Sequence, residues 1–112
     1  LYGVSKATGE ILGRYYHDEY GLSVLNVRIG NLTKDHPPRN YERGQAMWLS
    51  HRDCAHLFDR AIEAEYGYEI VYGISDNDRK YYSIERAREI VDYDPQHNSA
   101  EYTFDGEPKN PD

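Results

Sequence analysis

The chain has 112 residues, enough for one small domain or for part of a larger one. Acidic residues number 20 against 13 lysines and arginines, a formal charge of -7, which argues against nucleic-acid binding, where a basic face is the rule. The single cysteine, Cys54, excludes an internal disulfide, and no apolar run approaches the ~18 residues of a membrane-spanning helix.

Val4, Ala7, Ile11 and Tyr15 recur at helical spacing and predict a helix over 2–20 with one apolar stripe. Glu10 and Arg14 are spaced to pair on its exposed side, and Gly21 stands where a helix-capping glycine belongs. Leu25, Val27 and Ile29 alternate with Asn26 and Arg28, which predicts a strand over 22–29. A polar loop is expected from Asn31 to about Gln45, because Pro37 and Pro38 exclude helix there and Gly44 adds freedom. Ser50 is placed to cap the next helix with Asp53 as its third-position acid, and Ala55, Leu57, Phe58 and Ile62 are expected as that helix's buried face. Tyr68 to Gly73 reads as a second strand. Ser83 is expected to cap a shorter helix that buries Ile84, Ala87, Ile90 and Val91. From Asp94 onward the chain turns polar, with Pro95, Pro108 and Pro111, and reads as a partly packed tail over 94–112. The element order indicates an α/β protein, and two strands leave helix surface uncovered, so a further layer is expected.

Chemistry concentrates at the start, in Leu1-Tyr2-Gly3-Val4-Ser5-Lys6-Ala7-Thr8-Gly9-Glu10. Tyr2 and Lys6 are four apart on a helix, so they share a face one turn apart. A tyrosine hydroxyl, with an ordinary pKa of ~10, is a poor base at neutral pH. A neighbouring ammonium favours the phenolate, and such a tyrosine can take a proton from a substrate hydroxyl. Spacing alone is a weak signal in a chain with 12 tyrosines, where a surface tyrosine near a helical lysine is the plain alternative.

The context is more specific. The run Tyr2-Gly3-Val4-Ser5-Lys6-Ala7, with Gly9 and Glu10, resembles the active-site helix of the extended short-chain dehydrogenases/reductases, the NAD-dependent epimerase/dehydratase group. Leu25-Asn26-Val27-Arg28-Ile29-Gly30-Asn31 resembles the strand that follows it there. Trp48-Leu49-Ser50-His51-Arg52-Asp53, Tyr72-Gly73-Ile74-Ser75 and Tyr81-Tyr82-Ser83, with the run from Ala87 to Pro95, resemble the later elements in order. Within the family the chain is most similar to uronate dehydrogenases and to NAD-dependent sugar-phosphate dehydrogenases of haloarchaea.

The resemblance implies the C-terminal part of a Rossmann-like, doubly wound parallel sheet over 1–93, lacking the N-terminal nucleotide-binding half. It implies oxidation of the anomeric hydroxyl of glucose 6-phosphate or a uronate to a lactone, with NAD as cofactor. Tyr2 would be the base and would also contact the cofactor, and Lys6 would assist it and hold the nicotinamide ribose. Ile29 and Asn31 would pass the cofactor. Asn31 and Arg43 would meet the substrate, with Arg39 a second candidate for its acidic group. Gly30-Asn31 as a simple turn, and either arginine as a solvated loop residue, are the plain alternatives. The family's upstream serine or threonine and its Gly-rich phosphate loop have no counterpart in this sequence, so the chain alone is expected neither to bind NAD well nor to turn over. A nucleotide-sugar epimerase or dehydratase and a non-catalytic NAD-sensing relative are the competing readings. Family members often dimerise through the active-site helix, so a homodimer through Leu12, Tyr15 and Tyr16 is a further expectation; the same residues would equally suit a missing sheet.

No metal site is expected: His51 and His56 are five apart and do not align on one helix face. Cys54 is expected as a small core residue, and Tyr66, Tyr68, Tyr72, Tyr81, Tyr82 and Tyr93 as packing residues. Only four of the cations are lysines (Lys6, Lys34, Lys80 and Lys109). An acid-rich, lysine-poor surface stays hydrated in strong salt, so a halophilic source is expected, against an ordinary acidic protein. No signal peptide is visible, and a cytoplasmic location is expected. The helical reading from Leu1 onward leads us to expect a longer polypeptide.

Overall fold

Two parallel strands order everything else. In the computed structural model, which describes residues 2–32, 37 and 42–102 apart from the side chains of residues 2, 42 and 43, the elements follow as α1 (Tyr2–Tyr20), β1 (Val24–Ile29), α2 (Glu42–Ala46), α3 (His51–Glu63), β2 (Tyr68–Gly73) and α4 (Glu85–Val91). A 3-10 turn spans Ser99–Glu101. β1 and β2 pair in register from Val24↔Tyr68 to Ile29↔Gly73.

Alternation along the strands assigns their two faces. Leu25, Val27 and Val71 face the core built by Leu57 of α3 and by Ile84, Ala87 and Val91 of α4, with Ile74 and Tyr93. The Tyr93 hydroxyl donates to the Ile74 carbonyl at 2.7 Å, and burial pushes its pKa well above the ordinary tyrosine value. Asn26 and Arg28 face α1 instead. There Arg28 grips Glu10 with two hydrogen bonds of 3.0 Å and donates to the Tyr72 hydroxyl at 3.2 Å.

That grip overturns the expected Glu10–Arg14 pair. A bidentate tie across elements outweighs an exposed pair along one helix, and Arg14 pairs with Asp18 at 3.2 Å. The hydrogen bond from Arg28 holds the Glu10 carboxyl below the usual range. α1 turns Glu10, Gly13 and His17 to the strands, and a Cβ on Gly13 would come within 2.9 Å of Val24 Cγ1. The expected apolar stripe therefore faces outward: Val4 is 67%, Ile11 69% and Tyr15 52% exposed. Gly21 ends α1 as expected, in the left-handed region at φ +70°.

α3 also turns differently from its apolar spacing. Its buried residues are Asp53, Leu57 and Ala61, while Phe58 and Ile62 are exposed and Ala55 lies outside the core. Asp53 sets this face. The Ser50 hydroxyl accepts from Asp53 N at 3.0 Å, as a cap should. The carboxylate does not return to Ser50 N. Instead the Ser75 hydroxyl lies between them, accepting from Ser50 N at 3.0 Å and donating to Asp53 Oδ2 at 2.6 Å. Gln96 N, His97 N and Arg52 Nη1 donate to the same carboxylate at 2.8, 3.1 and 3.0 Å. Burial pushes the Asp53 carboxyl up, but the hydrogen bonds from Ser75, Gln96, Arg52 and His97 prevail and hold it below its ordinary value.

Residues 94–102 thus close over the start of α3. Pro95 and Ser99 are buried, and Trp48 stacks on His97 and meets Tyr102 edge-on. In α4 the buried residues Ile84, Ala87 and Val91 follow the expected spacing; the Ser83 hydroxyl accepts from Glu85 N at 3.1 Å, one residue before the cap position. Cys54 is half-buried, and burial raises its thiol pKa. The His56 ring accepts from Asp94 N at 2.9 Å and stacks on Tyr93. Among the described residues no helix is long and apolar enough to cross a membrane.

A Cβ on Gly30 would collide with the Met47 carbonyl and with Ile74 Cγ2, whereas Gly9 has open space around it. Gly30→Ala should cost about 1–3 kcal/mol in urea denaturation, and Gly9→Ala should gain about 0.5–1 kcal/mol through helix propensity. Asp53→Asn should cost on the order of 2–3 kcal/mol at neutral pH. Because the folded pKa of Asp53 is depressed, its contribution is complete above the unfolded value near ~4 and disappears as pH falls through the folded value. The urea-midpoint gap between the parent protein and Asp53→Asn should therefore narrow progressively below about pH 4.

Candidate active site

Parallel strands end together, and in open α/β sheets ligands gather at the carboxyl edge. Here that edge is marked by Ile29 and Gly73, which are register partners. α1 runs back against the strands: Glu10 meets Arg28, Gly13 lies against Val24, and the His17 ring bonds the Leu22 carbonyl at 2.8 Å. Residue numbers rise along α1 as they fall along β1. At ~1.5 Å per residue, Lys6 and Tyr2 stand about 6 and 12 Å beyond Glu10 toward the carboxyl edge. Ile29 and Asn31 lie about 3 and 10 Å beyond Arg28 in the same direction. The first turns of α1 and the end of β1 therefore extend toward the same edge. Lys6 is exposed there; the side chain of Tyr2 lies outside the described residues.

Asn31 is tightly held. Gly30 N donates to the Gly73 carbonyl at 2.9 Å, Asn31 N to the Met47 carbonyl at 2.7 Å, and Leu49 N to the Asn31 carbonyl at 2.9 Å. Asn31 and Trp48 form a parallel bridge that extends the sheet edge. With both backbone groups engaged, the side-chain amide is what Asn31 offers to a ligand. Ile29 is 47% exposed at the same edge.

Arg43 arrives by a route the sequence pattern did not show. The end of the expected loop is helical, because the prolines lie upstream of Glu42 and leave α2 free to form. α2 ends at Ala46, next to the Met47 that binds Asn31, so the backbone of Arg43 stands one turn from the Asn31 bridge. The side chain of Arg43, and Arg39 as a whole, lie outside the described residues.

Supporting residues escaped the sequence reading. Gln45, Ser75, Asn77 and Ser99 are buried polar residues around this edge. The available signal was Ile74-Ser75-Asp76-Asn77, a polar run directly after an apolar strand. Their hydrogen bonds tie the post-β2 segment to α2 and to Ser99.

Comparison with known proteins agrees with this architecture. No family model matches the chain. The NAD-dependent glucose-6-phosphate dehydrogenase of Haloferax volcanii is 76% identical over 108 residues, covering 96% of this chain and 41% of that protein. The L-arabinose 1-dehydrogenase (NAD(P)(+)) of the same organism is 42% identical over 109 residues, covering 88% and 43%. Among solved structures, uronate dehydrogenase from Agrobacterium tumefaciens superposes with a TM-score of 0.79 at 35% identity, covering 89% of this chain and 36% of that one. The chain thus spans about two fifths of the length of the curated relatives it matches. The two-stranded parallel sheet with its helices matches the C-terminal part of the Rossmann-like fold of uronate dehydrogenase, as expected. By sequence and by fold, the chain is a homologue of these dehydrogenases, similar to their C-terminal part and consistent with a fragment of a protein like the short-chain dehydrogenases/reductases.

Proposed function

We propose that this chain is the catalytic C-terminal part of an NAD-dependent sugar dehydrogenase. The enzyme oxidises the anomeric hydroxyl of a sugar phosphate to the lactone, with glucose 6-phosphate the first choice and a uronate the second. One observation carries the reading: the α1 turns holding Tyr2 and Lys6 overrun the carboxyl edge of β1, where Asn31 and α2 converge. The 76% identity to the Haloferax volcanii enzyme supports the choice of glucose 6-phosphate.

In this reading Tyr2 takes the proton of the anomeric hydroxyl. The Lys6 ammonium, one turn away, favours the phenolate that makes Tyr2 a base. NAD, when bound, would supply the acceptor for the hydride. The residues present fit the nicotinamide end of that cofactor: an exposed ammonium at Lys6 for ribose hydroxyls, the side-chain amide of Asn31, and the half-exposed Ile29 for the ring. The glycines of this chain do not form the G-x-G-x-x-G loop that holds the pyrophosphate. Arg43, delivered by α2, offers paired N–H donors to the phosphate or carboxylate of the sugar.

Two substitutions in the complete enzyme test the roles. Tyr2→Phe removes the base and should lower kcat by about 10²–10⁴-fold with NAD affinity nearly unchanged. Arg43→Ala should raise the KM for glucose 6-phosphate by about tenfold or more and alter turnover of unphosphorylated glucose far less. NADH formation in high salt with glucose 6-phosphate, glucuronate and galacturonate reads both. Absence of turnover with all three sugars, alongside measurable NAD binding, would move the assignment to an epimerase, a dehydratase or an NAD sensor.

A further inference from the structure

Asn77 stands four residues after β2, with no solvent exposure. Its Nδ2 donates to the Ala46 carbonyl at 3.2 Å and to the Trp48 carbonyl at 2.9 Å. Its Oδ1 accepts from Ser99 N at 2.9 Å. Between those two carbonyls, the Met47 carbonyl accepts from Asn31 N at 2.7 Å. Three consecutive carbonyls, 46 to 48, are thus held by Asn77 and Asn31. Ser99, which Asn77 anchors, donates its hydroxyl to the Gln45 carbonyl at 2.7 Å.

α2 has five residues, too few to hold a helix by its own hydrogen bonds. Among the described contacts, Asn77 at Ala46 and Ser99 at Gln45 grip its C-terminal end. The same Asn77 amide fixes the strand-like segment that Asn31 bridges. A primary amide supplies two donors and an acceptor on a short stem, as this junction requires; aspartate lacks the donors.

We propose that Asn77 is a positioning residue for the anionic group of the substrate. Without touching the sugar, it fixes where α2 presents Arg43 relative to Asn31. This rests on the sugar dehydrogenase reading above. Misplacing a binding group by about 1 Å costs up to ~10²-fold, so loosening α2 weakens capture of the anion more than it alters the proton transfer at Tyr2.

The test uses the complete enzyme with saturating NAD, comparing Asn77→Ala and the milder Asn77→Ser with the parent on glucose 6-phosphate and on glucose. The KM for glucose 6-phosphate should rise about tenfold, kcat should stay within about threefold, and the preference for the phosphorylated sugar should fall. In an Arg43→Ala background, replacing Asn77 should leave that preference unchanged, because both residues act on one contact. An unchanged preference with only a lowered Tm, or an undiminished effect in the Arg43→Ala background, overturns the proposal. Should Asn77→Ala fail to fold, Asn77→Ser decides by the same ratio. A parent enzyme that oxidises no sugar refutes the dehydrogenase reading itself and this inference with it. Normal parental turnover with unaltered variant preference refutes the positioning role alone.

Discussion

A carboxylate shut away from water at the start of α3 governs the C-terminal half of this chain. Charge in that setting is tolerable only when it is fully hydrogen-bonded, and Asp53 receives Ser75, Gln96 N, His97 N and Arg52. Those donors belong to three separate stretches of sequence. By gathering them, Asp53 settles which face α3 buries, where the segment after β2 runs, and why residues 96–99 lie against the sheet edge. Asn77 continues the same system to α2 and Trp48. The carboxyl edge of the strands is therefore shaped by buried hydrogen bonds as much as by regular secondary structure.

Local patterns were legible in the sequence where local forces decide. α1 and β2 have the bounds that periodicity, Gly21 and the strand residues indicate. β1 begins at Val24, two residues later than alternation suggests, because the carbonyl of Leu22 is taken by His17 at the end of α1. The Tyr2–Lys6 spacing is visible because four helical residues make one turn, whatever surrounds them. Misreadings arose where a polar group was buried. Apolar periodicity assigns Phe58 and Ile62 to the core of α3, yet the burial of Asp53 rotates the helix toward Leu57 and Ala61. The Glu10 partner lies 18 residues away on β1, a distance that spacing within a helix cannot register. Asn77, with partners near 46, 48 and 99, is invisible for the same reason.

The arginines show a related economy. Arg28 joins β1 to α1, Arg86 joins α4 to β2 through Glu69, and Arg60 reaches from α3 to Asp92 past the end of α4. Forked guanidinium groups suit such lateral ties better than ammonium groups. Exposed pairs contribute little individually and weaken as salt is added. The buried Asp53 system is screened far less, so added salt shifts the burden of cohesion from the surface toward it.

The Asp53 junction also bears on the order in which the chain becomes structured. Asp53 leaves the ribosome 43 residues before Gln96, its backbone donor in the finished junction. Until that segment emerges, α3 can form its turns and its Ser50 cap, but its buried charge lacks two of its four donors. Contacts that distant in sequence close slowly, after the loop entropy between them has been overcome. The edge carrying Asn31 and α2 is thus completed only when nearly the whole described chain has been synthesised, and a polypeptide interrupted before residue 96 would present Tyr2 and Lys6 beside an unfinished edge.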